Sequence, residues 1–408
     1  MKKQVLILTT THDFLRKFEM ENVKLLQRMG YVVHYAARME EPHYISDRER
    51  LERMGVQIHP IEIARSPYVL RDNQKALKQI LKLIELYHFD ILHCHTPVGG
   101  VLGRLAGKLS GDKNLTVIYT AHGFHFYKQA PLWNRLVYYG IEKRLARFTD
   151  ILIVINEEDY RHAKRFHLKK GGKVYKIPGI GLDRNRFRPL SENARKAFRK
   201  KLGIQEEDFF LVSVGELNEN KNHRILLKAF QIVKESYPDA GNIRLGICGD
   251  GFLRRELERQ IQELGLDEMV SIYGYCPKVW EILGCADASL FPSKREGLGM
   301  AALESLAMGI PVIASDNRGT REYMEHKKNG FVCHYEDAGG FAKGILTLKE
   351  MSKRKREQMS RYCIASAEPF DKKYANAVMK RIYLEVNQKV ERNFYEKPCE
   401  NQYYYERV

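Results

Sequence analysis

The sequence contains no long apolar run and no paired cysteines. No stretch approaches the roughly 18 apolar residues of a membrane-spanning helix, so we predict no transmembrane segment. The apolar run after the N-terminal lysines is only about five residues long and lacks a small-residue cleavage site, which favours a buried first strand over a signal peptide. The 7 cysteines occur singly, without a C-x-x-C pair, which argues against a disulfide scaffold and a cysteine zinc site. We therefore expect a protein of the reducing cytoplasm.

Motifs of several other function classes are also missing. The loop after the first predicted strand reads TTTHDFL instead of Gly-x-Gly-x-x-Gly, which disfavours a dinucleotide-dependent oxidoreductase. No nucleic-acid recognition module and no solenoid repeat occurs, so nucleic acid is not an expected partner. With 44% hydrophobic and 29% charged residues, the composition is typical of a globular protein. A chain of 408 residues exceeds one ordinary core, and two domains are predicted.

Positive charge is in excess, with a formal net charge of +17. Between Lys128 and Lys176 there are 12 Lys and Arg residues against 5 Asp and Glu residues, and aromatic side chains are mixed among them. Basic residues mixed with aromatics are typical of a segment that binds an anionic membrane surface. A second interpretation stays open, because four apolar residues fall at the spacing of a core-facing helix stripe. They are Trp133, Val137, Ile141 and Leu145.

Short apolar runs alternate with helical patterns along both halves of the chain. The predicted strands are residues 5–9, 31–36, 91–93, 116–120 and 151–155, then 209–214, 244–248, 270–273, 288–291, 311–314 and 331–333. This alternation predicts two doubly wound parallel α/β domains. The Gly- and Pro-rich segment 176–189 predicts the boundary, with domains at 1–183 and 184–368. Residues 369–408 are predicted to form a helix, over 374–390, and a polar tyrosine-rich tail; the family resemblance described below implies that this helix crosses back to the N-terminal domain.

Residues 290–315 read LFPSKREGLGMAALESLAMGIPVIAS, which predicts a strand, a loop, a helix and a second strand. In such a sheet, ligands bind beyond the carboxyl ends of the strands, against the free N–H groups at a helix start. Gly297 and Gly299 would let the backbone approach an anion closely. The amide donors to a phosphate would come from Leu298, Gly299 and Met300.

Two glutamates flank this glycine pair, Glu296 in the loop and Glu304 in the helix. Glu304 could reach the hydroxyls of a ribose, and Glu296 the group attached beyond the phosphates. The alternative is a pair of solvated glutamates. The segment resembles the Glu-x7-Glu motif, E-G-[FL]-G-x-x-x-x-E, of the family-4 retaining glycosyltransferases, which have the GT-B fold. The resemblance implies that both glutamates bind the donor, with Glu296 on the sugar hydroxyls.

Two histidine-containing segments resemble the same family. HCHTPVGG is similar to its H-x-H-T-P-x-x-G segment, at the end of a strand. TAHGFHF places His122 just beyond the next strand, where the resemblance implies a histidine that faces the donor sugar. The alternative for His122 is a structural role. The four histidines 93, 95, 122 and 125 also suggest a metal site. Because no carboxylate or cysteine cluster accompanies them in sequence except Cys94, no metal is predicted.

The loop SVGELNENKNH resembles the V-G-R-L-x-x-x-K segment that binds the diphosphate in this family. Gly215 would allow close backbone approach, and Lys221 would neutralise the leaving group. Glu216 occupies the family's arginine position, so a negative charge replaces an expected positive one. Either Lys294 or Arg295 compensates for this change, or Glu216 turns away.

Further segments match in the family's order. ICGDGFLRRELE places Gly249, Asp250 and Gly251 between a strand and a helix, a position that the family uses near the nucleotide. Tyr275 follows the next strand, where the family holds the base through backbone groups. KIPGIGLDRNRFRP resembles the interdomain linker P-x-G-[IV]-D-x-x-x-F. DNRGTREYM resembles the G-x-x-E segment, whose Glu322 we expect to be structural.

The resemblance implies a GT-B fold, with two Rossmann-like domains facing a cleft, the first on the acceptor side and the second binding the nucleotide sugar. The implied activity is retaining, metal-independent transfer of a hexosyl or N-acetylhexosaminyl group from a nucleotide-diphosphate donor, a UDP-sugar. The implied acceptor is a saccharide on polyprenyl diphosphate, at the inner face of the cell membrane, in exopolysaccharide, capsule or cell-surface glycan synthesis. No cofactor is expected. The alternatives are a nucleotide-sugar 2-epimerase of GT-B fold and a non-catalytic nucleotide-sugar-binding protein, which Glu216 makes more credible.

Overall fold

The computed structural model describes residues 2–39, 48–127, 130–237 and 242–395, and the predicted tyrosine-rich tail lies outside these ranges. The chain divides into two compact units. One comprises Met1–Ile180 together with Ala375–Val408, and the other comprises Gly181–Tyr374. The first division falls inside the Gly- and Pro-rich segment. Among the helices in the described ranges, none is long and apolar enough to cross a membrane.

The first unit contains one parallel sheet of seven strands. Its elements are β1 (Lys3–Thr11), α1 (Met20–Arg28), β2 (Tyr31–Arg38), α2 (Arg48–Arg53), β3 (Gln57–Pro60), α3 (Leu70–Tyr87), β4 (Ile91–His95), α4 (Pro97–Leu109), β5 (Thr116–Ala121), α5 (Leu132–Ala146), β6 (Ile151–Val154), α6 (Glu157–Ala163) and β7 (Lys173–Lys176). The strand order is β3-β2-β1-β4-β5-β6-β7. A π-helix, Leu15–Glu19, precedes α1. The order reverses direction between β1 and β4, which is the topological switch point where such sheets bind ligands.

The second unit contains a parallel sheet of six strands. Its elements are α7 (Glu192–Lys201), β8 (Phe209–Val214), α8 (His223–Ser236), β9 (Ile243–Cys248), α9 (Arg254–Glu263), β10 (Val270–Gly274), α10 (Val279–Leu283), β11 (Ala288–Phe291), α11 (Met300–Ala307), β12 (Val312–Ser315), β13 (Gly330–Cys333), α12 (Ala338–Lys349) and α13 (Lys353–Ala367). The strand order is β10-β9-β8-β11-β12-β13, so the switch point lies between β8 and β11. The predicted fold class, two Rossmann-like α/β units, is confirmed.

The apolar pattern of the sequence explains both cores. The central strand β1 is buried along most of its length, as expected for a parallel strand covered on both faces. Helix α3 buries Ala76, Ile80 and Ile84, which recur every four residues and form one apolar stripe. Helix α8 buries a matching stripe that includes Ala229 and Phe230. Each sheet is thus held rigidly, and the loops at its carboxyl edge are positioned by a packed core.

The last helix, α14 (Lys372–Tyr395), belongs for most of its length to the first unit. It buries Tyr383, whose hydroxyl lies 2.9 Å from His93 Nδ1 at hydrogen-bond distance. Lys3 Nζ donates to Asn387 Oδ1 at 2.7 Å, so α14 is also tied to the first strand. The first sheet is therefore completed by residues from the end of the described chain.

Candidate active site

Lys221 and Glu296 meet at the switch point of the second sheet. Lys221 lies in the loop after β8 and Glu296 in the loop after β11, so both leave the carboxyl ends of adjacent strands. Lys221 Nζ donates to Glu296 Oε1 at 2.6 Å, and both side chains are largely buried. The structure therefore brings these two predicted residues together in a short ion pair.

The loop of Lys221 is fixed by backbone contacts with the loop of Glu296. Asn220 Nδ2 donates to the carbonyl oxygen of Arg295 at 2.9 Å, and the Lys294 amide donates to the Asn220 carbonyl at 2.8 Å. A Cβ atom on Gly215 would lie 3.1 Å from Lys221 Cδ, so the predicted glycine gives room to the lysine stem. The Lys221 ammonium is thus held in place by its surroundings.

The predicted glycine loop leads directly into α11. Gly299 precedes the first helical residue, Met300, with a φ of +87°, a conformation that favours glycine. A Cβ atom there would lie 2.9 Å from both the Phe291 ring and the Tyr323 hydroxyl, so glycine is also required by space. Leu298 is buried, and Gly297 is half-buried. The first amides of α11 lack intrahelical partners, as at any helix start, and can bind an anion.

Glu304 lies within α11 and is half-buried. Burial raises the pKa of Glu304 to about 8, while the positive charges of Arg186 and Lys221 lower it. Within the described part of the chain, the Glu304 carboxyl has no hydrogen bond and no ion pair. Arg186 lies in the linker segment KIPGIGLDRNRFRP but was not predicted as a site residue. Its guanidinium carbon lies 4.5 Å from the centre of the Trp280 ring. Glu304 therefore has its hydrogen-bonding capacity available to a ligand.

The predicted Gly249-Asp250-Gly251 loop follows β9, next to β8 in the sheet. A Cβ atom on Gly249 would lie only 1.8 Å from the Gly215 carbonyl oxygen, so the two loops are in direct backbone contact. Asp250 pairs with Arg254 at 3.2 Å and accepts from the Gly251 amide at 2.8 Å. Tyr275, after β10, is 43% exposed. These residues line the carboxyl edge beside Lys221.

Glu216 is exposed, and its side chain makes no hydrogen bond or ion pair within the described ranges. A buried cation that the sequence analysis missed is Arg318, whose Nε donates to the Glu296 carbonyl oxygen at 3.2 Å. Arg318 lies in the quoted segment DNRGTREYM, one residue before Gly319. A Cβ atom on Gly319 would lie 2.8 Å from the Leu298 carbonyl oxygen, so this segment packs closely on the glycine loop.

A second cluster lies at the switch point of the first sheet. His95 ends β4, His122 follows β5, and Glu19 ends the π-helix after β1. His95 Nδ1 lies 3.2 Å from His122 Nε2 and 3.5 Å from Glu19 Oε1. The ring of Phe14 packs against both imidazoles. The structure thus places His122 beside a carboxylate that is distant in sequence.

Burial governs the protonation of this cluster. Burial lowers the pKa of His122 to about 4, and burial and the neighbouring histidines lower the pKa of His95 well below its ordinary value. Burial raises the pKa of Glu19 to about 7, although a hydrogen bond from Asn22 opposes this. Both imidazoles are therefore neutral at neutral pH.

These three residues could hold a metal ion, since their potential ligand atoms lie within 4.8 Å of one another. The expectation that no carboxylate accompanies the histidines is wrong, because the fold places Glu19, which is distant in sequence, next to His95 and His122. His93 is not part of this set: its ring nitrogens lie 2.9 Å from the Tyr383 hydroxyl and 2.8 Å from Thr120 Oγ1.

The residue after His95 has an unusual backbone conformation. Thr96 has a φ of +63°, which is rare for a β-branched residue and costs conformational free energy. It precedes Pro97, the first residue of α4. Strain of this kind concentrates at functional sites, which fits the position of Thr96 at the switch point.

Helix α5, in the basic aromatic segment, exposes much of its apolar surface. Trp133 is 75% exposed, and Leu132, Leu136, Val137 and Ile141 are exposed as well. The interpretation of a core-facing stripe is wrong for three of its four residues, since only Leu145 is buried. The helix is anchored from its other side by Glu142, which pairs with Arg104 at 2.8 Å.

Known proteins match both halves of the chain. Residues 194–365 match the family described as "Glycosyl transferases group 1", and residues 5–156 match "Glycosyl transferase 4-like". The EpsD protein of Bacillus subtilis strain 168, whose name assigns it to the glycosyltransferases, is 40% identical over 349 residues, covering 85% of this chain and 88% of EpsD. The Escherichia coli UDP-Gal:alpha-D-GlcNAc-diphosphoundecaprenol alpha-1,3-galactosyltransferase is 28% identical over 291 residues, covering 71% of this chain and 73% of that enzyme.

Solved structures show the same fold. The Anabaena protein HepE, in complex with UDP and glucose, superposes with a TM-score of 0.72 at 18% identity and covers 95% of this chain and 100% of its own. WaaG, a glycosyltransferase involved in lipopolysaccharide biosynthesis, superposes with a TM-score of 0.70 at 17% identity, covering 93% and 99%. The predicted family is confirmed: the chain belongs to the group 1, 4-like glycosyltransferases.

Proposed function

We propose that the protein transfers a sugar, with retention of anomeric configuration, from a UDP-sugar to a saccharide carried on polyprenyl diphosphate. The observation that carries the proposal is the Lys221–Glu296 pair at the switch point beside the glycine loop. The donor and acceptor classes are supported by the name of the Escherichia coli relative, which specifies UDP-galactose and a diphosphoundecaprenol-linked acceptor. The cellular role would be synthesis of a surface polysaccharide.

Lys221 and the start of α11 would take the charge of the diphosphate. The ammonium of Lys221 is paired with Glu296, and a diphosphate would compete with that carboxylate for it. The helix-start amides add fixed positive dipoles that need no reorganisation during reaction. This arrangement would stabilise the departing diphosphate without a metal at that position. Once released from Lys221, the Glu296 carboxylate could accept hydrogen bonds from the sugar hydroxyls.

The remaining predicted roles complete the donor site. Glu304 would hold the ribose, since its half-buried carboxyl has no hydrogen bond within the described residues. Following the family resemblance, His122 would contact the donor sugar near its reacting carbon. The reaction passes through an oxocarbenium-like sugar. We assign Glu296 to sugar binding and not to a nucleophilic role, because the family resemblance implies a reaction on the donor's front face, without a covalent enzyme intermediate.

The test is turnover with a UDP-sugar panel and an undecaprenyl-diphosphate saccharide. Lys221→Ala and Glu296→Ala should each reduce kcat by about 100-fold or more, the cost of losing one preorganised charge or donor. The matched controls are Lys228→Ala and Glu235→Ala, which remove exposed residues of α8 in the same unit. Wild-type turnover in both Lys221→Ala and Glu296→Ala would refute the site assignment.

The second candidate function is nucleotide-sugar binding without catalysis, which Glu216 favours. Its carboxylate stands where the family carries a diphosphate-binding arginine, and it is exposed. UDP binding without turnover across the acceptor panel would establish this alternative. Donor incubated alone should stay unchanged, whereas an epimerised sugar would identify a 2-epimerase.

The apolar face of α5 is proposed to bind an anionic membrane at the cytoplasmic face. With 100° per residue, the exposed residues Leu132, Trp133 and Leu136 lie on the same side of the helix as Lys143 and Arg147. Apolar side chains beside cations fit the boundary of an anionic bilayer, where each cation contributes about 1 kcal/mol. This position would bring the enzyme to a lipid-linked acceptor.

Vesicle flotation tests the membrane proposal. The chain should float with vesicles that contain anionic lipid and should remain behind with neutral vesicles. Trp133→Ala with Leu136→Ala should weaken binding, whereas Leu109→Ala, which removes an exposed leucine of α4, should not. Equal recovery with both vesicle types would exclude an anionic membrane as the partner.

A further inference from the structure

The Glu19, His95 and His122 side chains converge from three separate elements on one point. Glu19 ends a π-helix, a rare type of helix that is frequent at functional sites. His95 and His122 come from the carboxyl ends of the adjacent strands β4 and β5. His95 and Glu19 are almost completely buried, and His122 is half-buried. The cluster is therefore enclosed by protein at Glu19 and His95 and partly accessible at His122.

The spacing of the three ligand atoms fits a coordination sphere. Nitrogen and carboxylate ligands lie about 2.0–2.2 Å from zinc, so two ligands of a tetrahedron are separated by about 3.3–3.6 Å. His95 Nδ1 is 3.2 Å from His122 Nε2, a hydrogen bond that a bound metal would replace, and 3.5 Å from Glu19 Oε1. The third distance, between the ligand atoms of Glu19 and His122, is at most 4.8 Å.

The surroundings orient the carboxylate and cover one side of the imidazole rings. Asn22 Nδ2 donates to Glu19 Oε2 at 2.6 Å, which holds the carboxylate with Oε1 towards the imidazoles. A hydrogen bond of this kind to a ligating carboxylate is the usual support of a metal site. Phe14 covers the two rings from one side, with ring centres 5.5 Å from His95 and 5.2 Å from His122.

We propose that Glu19, His95 and His122 form a binding site for a divalent transition-metal ion, with Zn²⁺ as the best-fitting ion. Two imidazoles and one carboxylate are the donor set of three-ligand zinc sites, whereas Mg²⁺ and Ca²⁺ prefer oxygen ligands alone. Three protein ligands leave a fourth position for a water or a substrate oxygen beside the half-buried His122. His122 keeps Nδ1 for other contacts. The proposal does not depend on sugar transfer, because binding is measured without donor or acceptor.

The experiment is a Zn²⁺ titration of the full chain, free of any histidine tag, by calorimetry and by competition with a chelating dye. One equivalent should bind to the wild type. Glu19→Gln and His122→Gln should each weaken binding by about 10- to 100-fold or more, since removing even supporting groups of a metal site has effects of this size. The matched control is His167→Gln, which removes an exposed histidine of the same unit and should bind like the wild type.

Co²⁺ substitution of the wild-type protein gives a second readout that needs no variant. Co²⁺ at this site should give visible ligand-field bands without a thiolate charge-transfer band, since the three ligands are nitrogen and oxygen. A thiolate band would place the metal on cysteine and overturn the proposal. Absence of Zn²⁺ binding in the wild type, or equal binding in wild type, Glu19→Gln and His122→Gln, would overturn it as well.

Discussion

Replacing Glu304 by glutamine should change the pH dependence of the stability of the second unit. Burial raises the pKa of Glu304 to about 8 in the folded protein, from its ordinary value of 4.5, and Arg186 and Lys221 offset only part of that effect. Between these two values the native carboxyl keeps a proton that the unfolded chain has released. The folded state therefore binds more protons than the unfolded state in this window.

The sign and size follow from proton linkage. Since the native state holds the extra proton, the free energy of unfolding falls as pH rises, by at most about 1.4 kcal/mol per pH unit. The stabilisation by Glu304 is complete below about pH 4.5 and is lost as pH rises through about 8. Between about pH 5 and 7.5 this amounts to at most about 3 kcal/mol. Glu304→Gln cannot ionise, so the variant should lack this loss.

The assay is urea unfolding of the full chain followed by fluorescence. The sequence has 2 tryptophans, and Trp280 lies in the second unit. With Trp133→Phe as the common background, the signal reports the second unit alone. Glu235→Gln, which changes an exposed glutamate of α8, is the matched control and should follow the background protein.

The decisive comparison is the difference in unfolding free energy between Glu304→Gln and the background protein at each pH. It should move in favour of the variant as pH rises from about 5 to 8. Parallel curves would mean that Glu304 titrates like a solvated glutamate. A difference that moves in favour of the background protein would show a lowered pKa, and the account of its burial would be wrong.

Two further variants test packing described above. Gly249→Ala places a methyl group 1.8 Å from the Gly215 carbonyl oxygen, so the loop after β8 must move. Calorimetry should therefore show weaker UDP binding by this variant. The control is Gly140→Ala, whose added methyl group meets no atom within 4 Å and which should bind UDP like the wild type. Glu142→Gln leaves the buried Arg104 without its counter-charge and should lower the free energy of unfolding by about 3–5 kcal/mol in denaturation experiments. Adding Arg104→Met should recover part of that loss, and no recovery would show that the cost lies elsewhere.

In the second unit, the positions of most candidate site residues could be predicted from local sequence. A strand, a glycine loop and a helix in succession fix where Glu296, Gly299 and Glu304 lie, because the carboxyl edge of a parallel sheet is set by the chain direction. Lys221 was predicted by the same rule from the neighbouring strand. Its pairing with Glu296 could not be predicted, because 75 positions separate them and no local pattern records the contact.

Contacts between distant segments account for what the sequence analysis missed. No sequence motif links Glu19 to the two histidines, so their contact could not be predicted. The π-helix that positions Glu19 has no recognised sequence signature. The strands β3 and β7 are short edge strands whose residues are partly exposed, so they lack the apolar runs that identify central strands.

The surface of α5 was ambiguous for a different reason. Apolar residues at helical spacing predict that one face of the helix is apolar. They do not predict whether the protein core or another partner covers that face. Trp133 and Val137 carry the same pattern as buried residues of α3, and only the fold shows that nothing within the described first unit covers them.

The closing helix α14 has a consequence for how the protein is made. Its buried residues, among them Tyr383 and Val386, complete a unit whose other elements precede Ile180, yet they leave the ribosome only after Gly181–Tyr374. Synthesis of the first unit therefore begins before that of Gly181–Tyr374 and is completed after it, and Gly181–Tyr374 can fold earlier as a continuous piece. A fragment that stops at residue 180 would expose the apolar surface that α14 covers, and it should aggregate unless the missing helix is supplied as a separate peptide.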